Sequence, residues 1–83
     1  MTYFVYLIGN YKKSRLITYV GYTNNLKKRL NLHNTGRGAK FTKGRTWKLL
    51  YYEKHLTKKE AIFRENFIKK NRKLRNSIKE KYK

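Results

Sequence analysis

The side chains able to do chemistry are few in kind and unevenly spread over the 83 residues. Tyr6 and Tyr19 each stand in a β-favouring run, where a phenol can be held at a fixed place. Arg29 and His33 are four apart, so on a helix they share a face and can meet one anion together. Arginine also brings a fork of donors that grips phosphate through paired hydrogen bonds. Carboxylates are scarce: Glu53, Glu60, Glu65 and Glu80 stand against 23 Lys+Arg, and there is no Asp. Glu65 lies between Ile62 and Phe67 on a helix expected to bury one face, and a buried carboxylate needs a partner or a metal. Breaking a phosphodiester asks for an activated nucleophile, positive charge on the non-bridging oxygens and something to settle the leaving oxygen; a phenol, a guanidinium and a carboxylate-held Mg²⁺ could divide those tasks. Each residue also has a plainer reading. The tyrosines could be packing residues of a sheet, Arg29 a solvated cation, His33 structural, and Glu65 an ion-pair partner of Lys69, Arg64 or Arg72.

The formal net charge of +19 on 10.2 kDa repels itself in the compact state and attracts polyanions, nucleic acid first among them. Zero Cys excludes a disulfide scaffold and a Cys-ligated zinc module, and 2 His with 4 Glu argue against a metal cage built wholly from side chains. A hydrophobic share of 39% that includes 8 Tyr, 4 Phe and 1 Trp is too aromatic for a disordered basic tail. No apolar run approaches the ~20 residues that cross a bilayer, and no secretory signal is visible, so a cytoplasmic location without membrane contact is expected. The length suits a single domain, residues 1–83.

The elements that must position these residues follow from the pattern. Tyr3 to Ile8 alternates Tyr3, Val5 and Leu7 with Phe4, Tyr6 and Ile8 and predicts a first strand. The polar stretch from Gly9 to Arg15 is expected to turn into a second strand, Leu16 to Gly21, as an antiparallel hairpin. Asn25 or a neighbour caps a helix running to about Asn34, with Leu26, Leu30 and His33 on one side. Residues 35–46 form a basic connection punctuated by Gly36, Gly38 and Gly44, with only Ala39 and Phe41 to offer a core. Its glycines expose backbone N–H groups, and Arg37, Lys40, Lys43 and Arg45, with Lys27 and Lys28 on the first helix, are candidates to meet phosphates; the Gly-Lys-Ser/Thr of a Walker loop is absent. Trp47 to Glu53 predicts a third strand. Thr57 with Glu60 opens a second helix whose broad apolar face includes Ala61, Phe63 and Phe67 or Ile68, and a bend near Asn71 leads to a short terminal helix striped by Leu74, Ile78 and Tyr82. Residues 72–83 are the part expected to fray most readily. The fold class is thus a small α/β (α+β) domain, an antiparallel three-stranded sheet flanked by helices in the order β-β-α-β-α-α.

Placed on these elements, Phe4-Val5-Tyr6, Tyr19-Val20-Gly21, Arg29, His33 and Glu65 resemble the GIY-YIG nuclease domain. His33-Asn34, then Gly36-Arg37-Gly38-Ala39-Lys40-Phe41-Thr42 and Arg45, resemble the small stand-alone bacterial members, whose role is poorly assigned. The resemblance runs from about residue 3 to about residue 75, with Phe4 where the family name has its first glycine. Neither Asn71 nor Asn76 matches the C-terminal asparagine of larger relatives well enough to be carried over. The resemblance implies phosphodiester hydrolysis with one divalent metal, Mg²⁺ or Mn²⁺. In that scheme Tyr19 acts as or helps orient the general base, Arg29 stabilises phosphate charge, Glu65 binds the metal, and Tyr6 and His33 complete the hydrogen-bonding shell. A tyrosine is a poor base near neutrality, and the cationic excess is expected to favour its phenolate.

The expected function is a structure-tolerant DNA endonuclease that holds backbone phosphates, acts as a monomer and uses no organic cofactor. Larger relatives attach recognition domains, so targeting here would rest on a partner protein or on substrate shape. The alternative is a DNA-binding protein of the same fold with vestigial or no catalysis, and a ribosome-associated basic protein is a distant third.

Overall fold

The structure is a computed structural model and describes residues 2–81. Its elements run β1 (Tyr3–Lys12), β2 (Arg15–Thr23), α1 (Leu26–Asn34), β3 (Lys48–His55), α2 (Lys58–Lys70) and α3 (Arg72–Glu80). The three strands form one antiparallel sheet in the order β2-β1-β3. The expected class and element order are therefore observed.

β1 is central and covered on both faces, which is why both of its alternating sets are apolar or aromatic. On one face Val5 and Leu7 join Val20, Leu50, Ala61, Ile68 and Ile78 beneath α2 and α3. On the other, Tyr6 and Ile8 join Trp47, with Leu26 and Leu30 of α1 packed against them.

The hairpin is longer than the pattern of charges suggested. Residues 9–15 are not a turn, because Lys12 pairs with Arg15 and only Lys13 and Ser14 turn, at φ 51° and 66°. Positive φ at both central positions fits the right-handed twist of the flanking strands, although such turns usually announce themselves with Asn or Gly. The bounds of β3 also shift, from the expected 47–53 to Lys48–His55. A bulge places Leu49 opposite Ile8 and Tyr51 opposite Leu7, leaving Leu50 as the extra residue that drops into the α2-side core.

α1 starts at Asn25, whose side chain accepts from the Lys28 N–H at 3.1 Å. α2 starts at Thr57, whose hydroxyl accepts from the Glu60 N–H at 3.1 Å. Its buried stripe is narrower than expected: Ala61 and Ile68 are buried, whereas Phe63 is 70% and Phe67 43% exposed. Positions 61, 65 and 68 follow the i, i+4, i+7 spacing of one helix face, so Glu65 stands in the middle of the buried stripe. The bend falls at Asn71, which ends α2 and caps α3 by accepting from the Leu74 N–H at 3.0 Å. Ile78 anchors α3 in the core, and Tyr82, the third residue of that stripe, lies outside the described residues.

Candidate functional site

The site is built where β1, β2, α1 and the 35–47 connection meet. Tyr6 pairs with Gly21 across the β1–β2 ladder, and a Cβ on Gly21 would collide with the Tyr6 ring end and hydroxyl. Glycine at 21 therefore lets the phenol lie across β2 and reach α1. Its hydroxyl sits 2.7 Å from His33 Nε2, and Arg29 Nε donates to the same oxygen at 3.4 Å. Arg29 Nη2 donates to the Gly38 carbonyl at 3.2 Å, tying α1 to the connection. The spacing of four between Arg29 and His33 thus puts both side chains on Tyr6.

Tyr19 lies on the same sheet face and meets the His33 ring edge-on, with centroids 5.2 Å apart. Its other neighbour is Phe41, stacked at 6.1 Å, and the guanidinium of Arg45 lies 5.4 Å above that ring. Glu65 approaches from α2. Its carboxylate is 15% exposed and pairs with Lys69 at 3.6 Å, the i+4 partner that the plainer reading named. Its charge also reaches the Tyr6 hydroxyl, where it helps to raise the pKa.

Burial, more than charge, sets the protonation states. The Tyr6 phenol is pushed up from its ordinary value by burial, with Arg29 acting against the shift and Tyr19 and Glu65 adding to it. At Tyr6 the cationic excess is therefore outweighed by desolvation, and the hydroxyl keeps its proton at neutral pH. His33 is pushed down by burial and by the Arg29 guanidinium, so its imidazole is neutral there. Among the described residues Arg29 makes no ion pair, and its partners are a phenol and a carbonyl.

The phosphate-facing candidates divide. Lys28 lines a small hollow with Arg29, Thr23, Asn24, Asn25 and Leu32. Lys27 and Lys28 also border a hollow with Asn25, Leu30, Asn31 and Asn34, and Lys27 reaches the apolar groove bordered by Phe4, Leu30, Leu49 and Tyr52. Lys43 and Arg45 line a depression with Thr35, Gly36 and Gly44, the two glycines at φ 80° and 79°. Arg37 and Lys40 are exposed on the same connection.

The connection has more core than the sequence promised, and a different one. Phe41 is 51% exposed, whereas Thr42 is fully buried. Thr42 Oγ1 lies 2.8 Å from His33 Nδ1, and its carbonyl accepts from Trp47 Nε1 at 2.9 Å. Asn34 closes the connection from the other end, accepting from the Trp47 N–H at 2.6 Å and donating to the Trp47 carbonyl at 3.1 Å. Gly38 presses so closely on His33 that a Cβ would overlap the ring. Sequence reasoning did not assign Thr42, Gly38 or Asn34 to the site, because no periodicity carries across an irregular connection.

A second polar cluster, equally missed, occupies the opposite face of the sheet. Arg64 Nε and Nη2 donate to both oxygens of Glu53 at 2.8 and 2.7 Å, and Tyr51 and His55 bond to the same carboxylate. Those Arg64 bonds, supported by Tyr51 and His55 and opposed by burial, lower the Glu53 carboxyl to about 2. No group of three or more potential metal ligands exists among the described residues. No helix among them is long and apolar enough to cross a membrane.

Residues 2–82 match the family model of the GIY-YIG catalytic domain, and the chain belongs to that family. It is similar to a UPF0213 protein of Clostridium perfringens, 55% identical over 53 residues that cover 63% of this chain and 57% of the relative. A UPF0213 protein of Oceanobacillus iheyensis is 52% identical over 52 residues, 61% of this chain and 60% of the relative. The UPF0213 protein YazA of Bacillus subtilis is 49% identical over 53 residues, 63% of this chain and 54% of the relative. The matches thus span less than two thirds of these relatives' length. No solved structure matches the chain.

Proposed function

We propose that this protein is a metal-dependent nuclease that hydrolyses phosphodiester bonds in DNA, gripping backbone phosphates with little regard for sequence. The observation that carries the reading is the uncancelled Arg29, held by Tyr6 and by the Gly38 carbonyl beside a neutral His33. A fixed guanidinium with donors to spare stabilises charge that grows on a phosphate in the transition state, at no cost of reorganisation. Tyr19, edge-on to the His33 ring, orients or deprotonates the attacking water. Tyr6 and His33 keep their protons placed and hold Arg29 in position.

Glu65 fits a hard divalent cation by chemistry: it is a largely buried carboxylate whose only ion pair among the described residues, to Lys69, is long and one-sided. Mg²⁺ accepts a single protein carboxylate when water and substrate phosphate fill the remaining positions. Bound there, Mg²⁺ or Mn²⁺ would neutralise phosphate charge and settle the leaving oxygen. Lys28, Lys43 and Arg45, with exposed Arg37 and Lys40, supply the electrostatic hold on DNA.

The Lys69–Glu65 pair also favours a second reading, a DNA-binding protein in which that carboxylate is spent on the helix and turnover is absent. Cleavage of supercoiled, branched and single-stranded DNA with Mg²⁺ or Mn²⁺ separates the two. Wild type is expected to cut, and Glu65→Gln to bind with unchanged affinity and not cut. A wild type that binds all three and cuts none leaves the binding reading.

A further inference from the structure

His33 and Thr42 are both fully buried, and they bond to each other. A threonine hydroxyl has one proton to donate and lone pairs to accept with. Thr42 Oγ1 has three contacts: the Ala39 N–H, which only donates, at 3.1 Å; the Ala39 carbonyl, which only accepts, at 3.0 Å; and His33 Nδ1. With the hydroxyl proton on the Ala39 carbonyl, Nδ1 must carry its own proton and donate to Oγ1. Neutral His33 then has a bare Nε2, which accepts the Tyr6 O–H at 2.7 Å, and the Tyr6 oxygen accepts from Arg29 Nε. Every proton in this chain has one acceptor. The opposite arrangement fails at its far end. If Thr42 donates to Nδ1, then Nε2–H and Arg29 Nε–H both point at the Tyr6 oxygen, and the proton of that buried phenol has no acceptor among the described residues.

We propose that Thr42 is a positioning residue: its hydroxyl accepts the Nδ1–H of His33 and fixes the ring so that the bare Nε2 takes the Tyr6 proton and turns it away from Arg29. The tautomer of a histidine is set by the bond its other nitrogen makes. Here that bond comes from the connection, which Gly38 allows to lie against the imidazole. Arg29 meets a phenol lone pair on one side and the Gly38 carbonyl on the other, which orients its remaining N–H groups. The connection therefore sets proton placement in the site as well as carrying cations. The catalytic consequence rests on the nuclease reading; the tautomer does not.

The test is ¹⁵N NMR of the imidazole, joined to cleavage kinetics. In wild type at neutral pH, His33 is expected to show a protonated Nδ1 and an unprotonated Nε2. Thr42→Val, which keeps the volume and removes the acceptor of the Nδ1–H, is expected to keep the tautomer that Tyr6 and Arg29 also require, to lose the hydrogen-bonded shift of the Nδ1–H, and to lower kcat about 10- to 100-fold, the usual cost of losing an orienting partner, with KM for DNA unchanged. Thr42→Ser is expected to restore both. A wild-type Nε2–H tautomer overturns the proposal, as does Thr42→Val with the wild-type Nδ1–H shift. Should Thr42→Val not fold, the wild-type and Thr42→Ser spectra decide alone. A wild type with the expected tautomer that cuts no DNA overturns the nuclease reading and upholds the tautomer assignment.

Discussion

Two polar clusters sit on opposite faces of the same sheet, and they treat their arginines differently. On the α2 face Arg64 spends its fork on both oxygens of Glu53, and Tyr51 and His55 complete the bonding of that carboxylate. On the α1 face Arg29 meets, among the described residues, only a phenol and a carbonyl, so none of these residues pairs with its charge. In a chain with 23 cations and 4 acids, most cations must go unpaired, and an unpaired arginine alone says little. What distinguishes Arg29 is that its geometry is fixed while its charge is left over. The Glu53 cluster holds β3 to α2, and on the proposed function the Tyr6 cluster receives a phosphate.

The largest expected effect that separates the clusters is on cleavage. Arg29→Met should lower the single-turnover rate by about 10³-fold, the order seen when one charge-stabilising donor is removed, with the melting temperature near wild type. Arg29→Lys should recover little, since an ammonium cannot hold Tyr6 and the Gly38 carbonyl in a fork. Gly21→Ala comes next. Its methyl would displace the Tyr6 hydroxyl, and a misplaced site group costs about 10²-fold in rate.

Arg64→Met should leave the cleavage of folded protein intact and cost about 2 kcal/mol of stability by leaving Glu53 without its cation. For a domain this size that lowers the melting temperature by roughly 10 °C, measurable by calorimetry. Acid should dismantle the two clusters in order. The lowered pKa of buried His33 means that its contribution to stability is full above the ordinary value of 6.5 and is lost as pH falls below it. Glu53 contributes above its ordinary 4.5 and loses that contribution as pH falls towards about 2. A pH series of melting curves should therefore show an upper step absent from His33→Gln and a lower step absent from Glu53→Gln. Smallest is the effect of single cations on the connection. Lys43→Ala should reduce the salt slope of DNA binding by about 0.9 for one lost phosphate contact.

Much of this was legible before any coordinates. Both-face burial of β1 is written in its unbroken apolar run, and the caps at Asn25 and Thr57 are written in residue type, because those signals are local. The Arg29–His33 pairing was legible for the same reason. The Lys13–Ser14 turn was not, since neither residue advertises a positive φ and the polar arm of the hairpin reads like a loop. Phe63 and Phe67 misled because hydrophobicity alone does not say which side of a helix finds a partner; the stripe through Ala61, Glu65 and Ile68 does. Thr42 and the Glu53–Arg64 pair were invisible because each is a contact across an irregular connection or between elements, with no spacing rule to announce it.

The account is tested most directly by crossing the two arginines. Single-turnover cleavage of supercoiled DNA with Mg²⁺ and thermal melting are measured together on wild type, Arg29→Met and Arg64→Met. The account predicts a crossed pattern: Arg29→Met folded and inactive, Arg64→Met destabilised and, below its melting temperature, as active as wild type. An Arg29→Met protein that cuts as well as wild type, or a folded Arg64→Met protein that has lost cleavage, would contradict it.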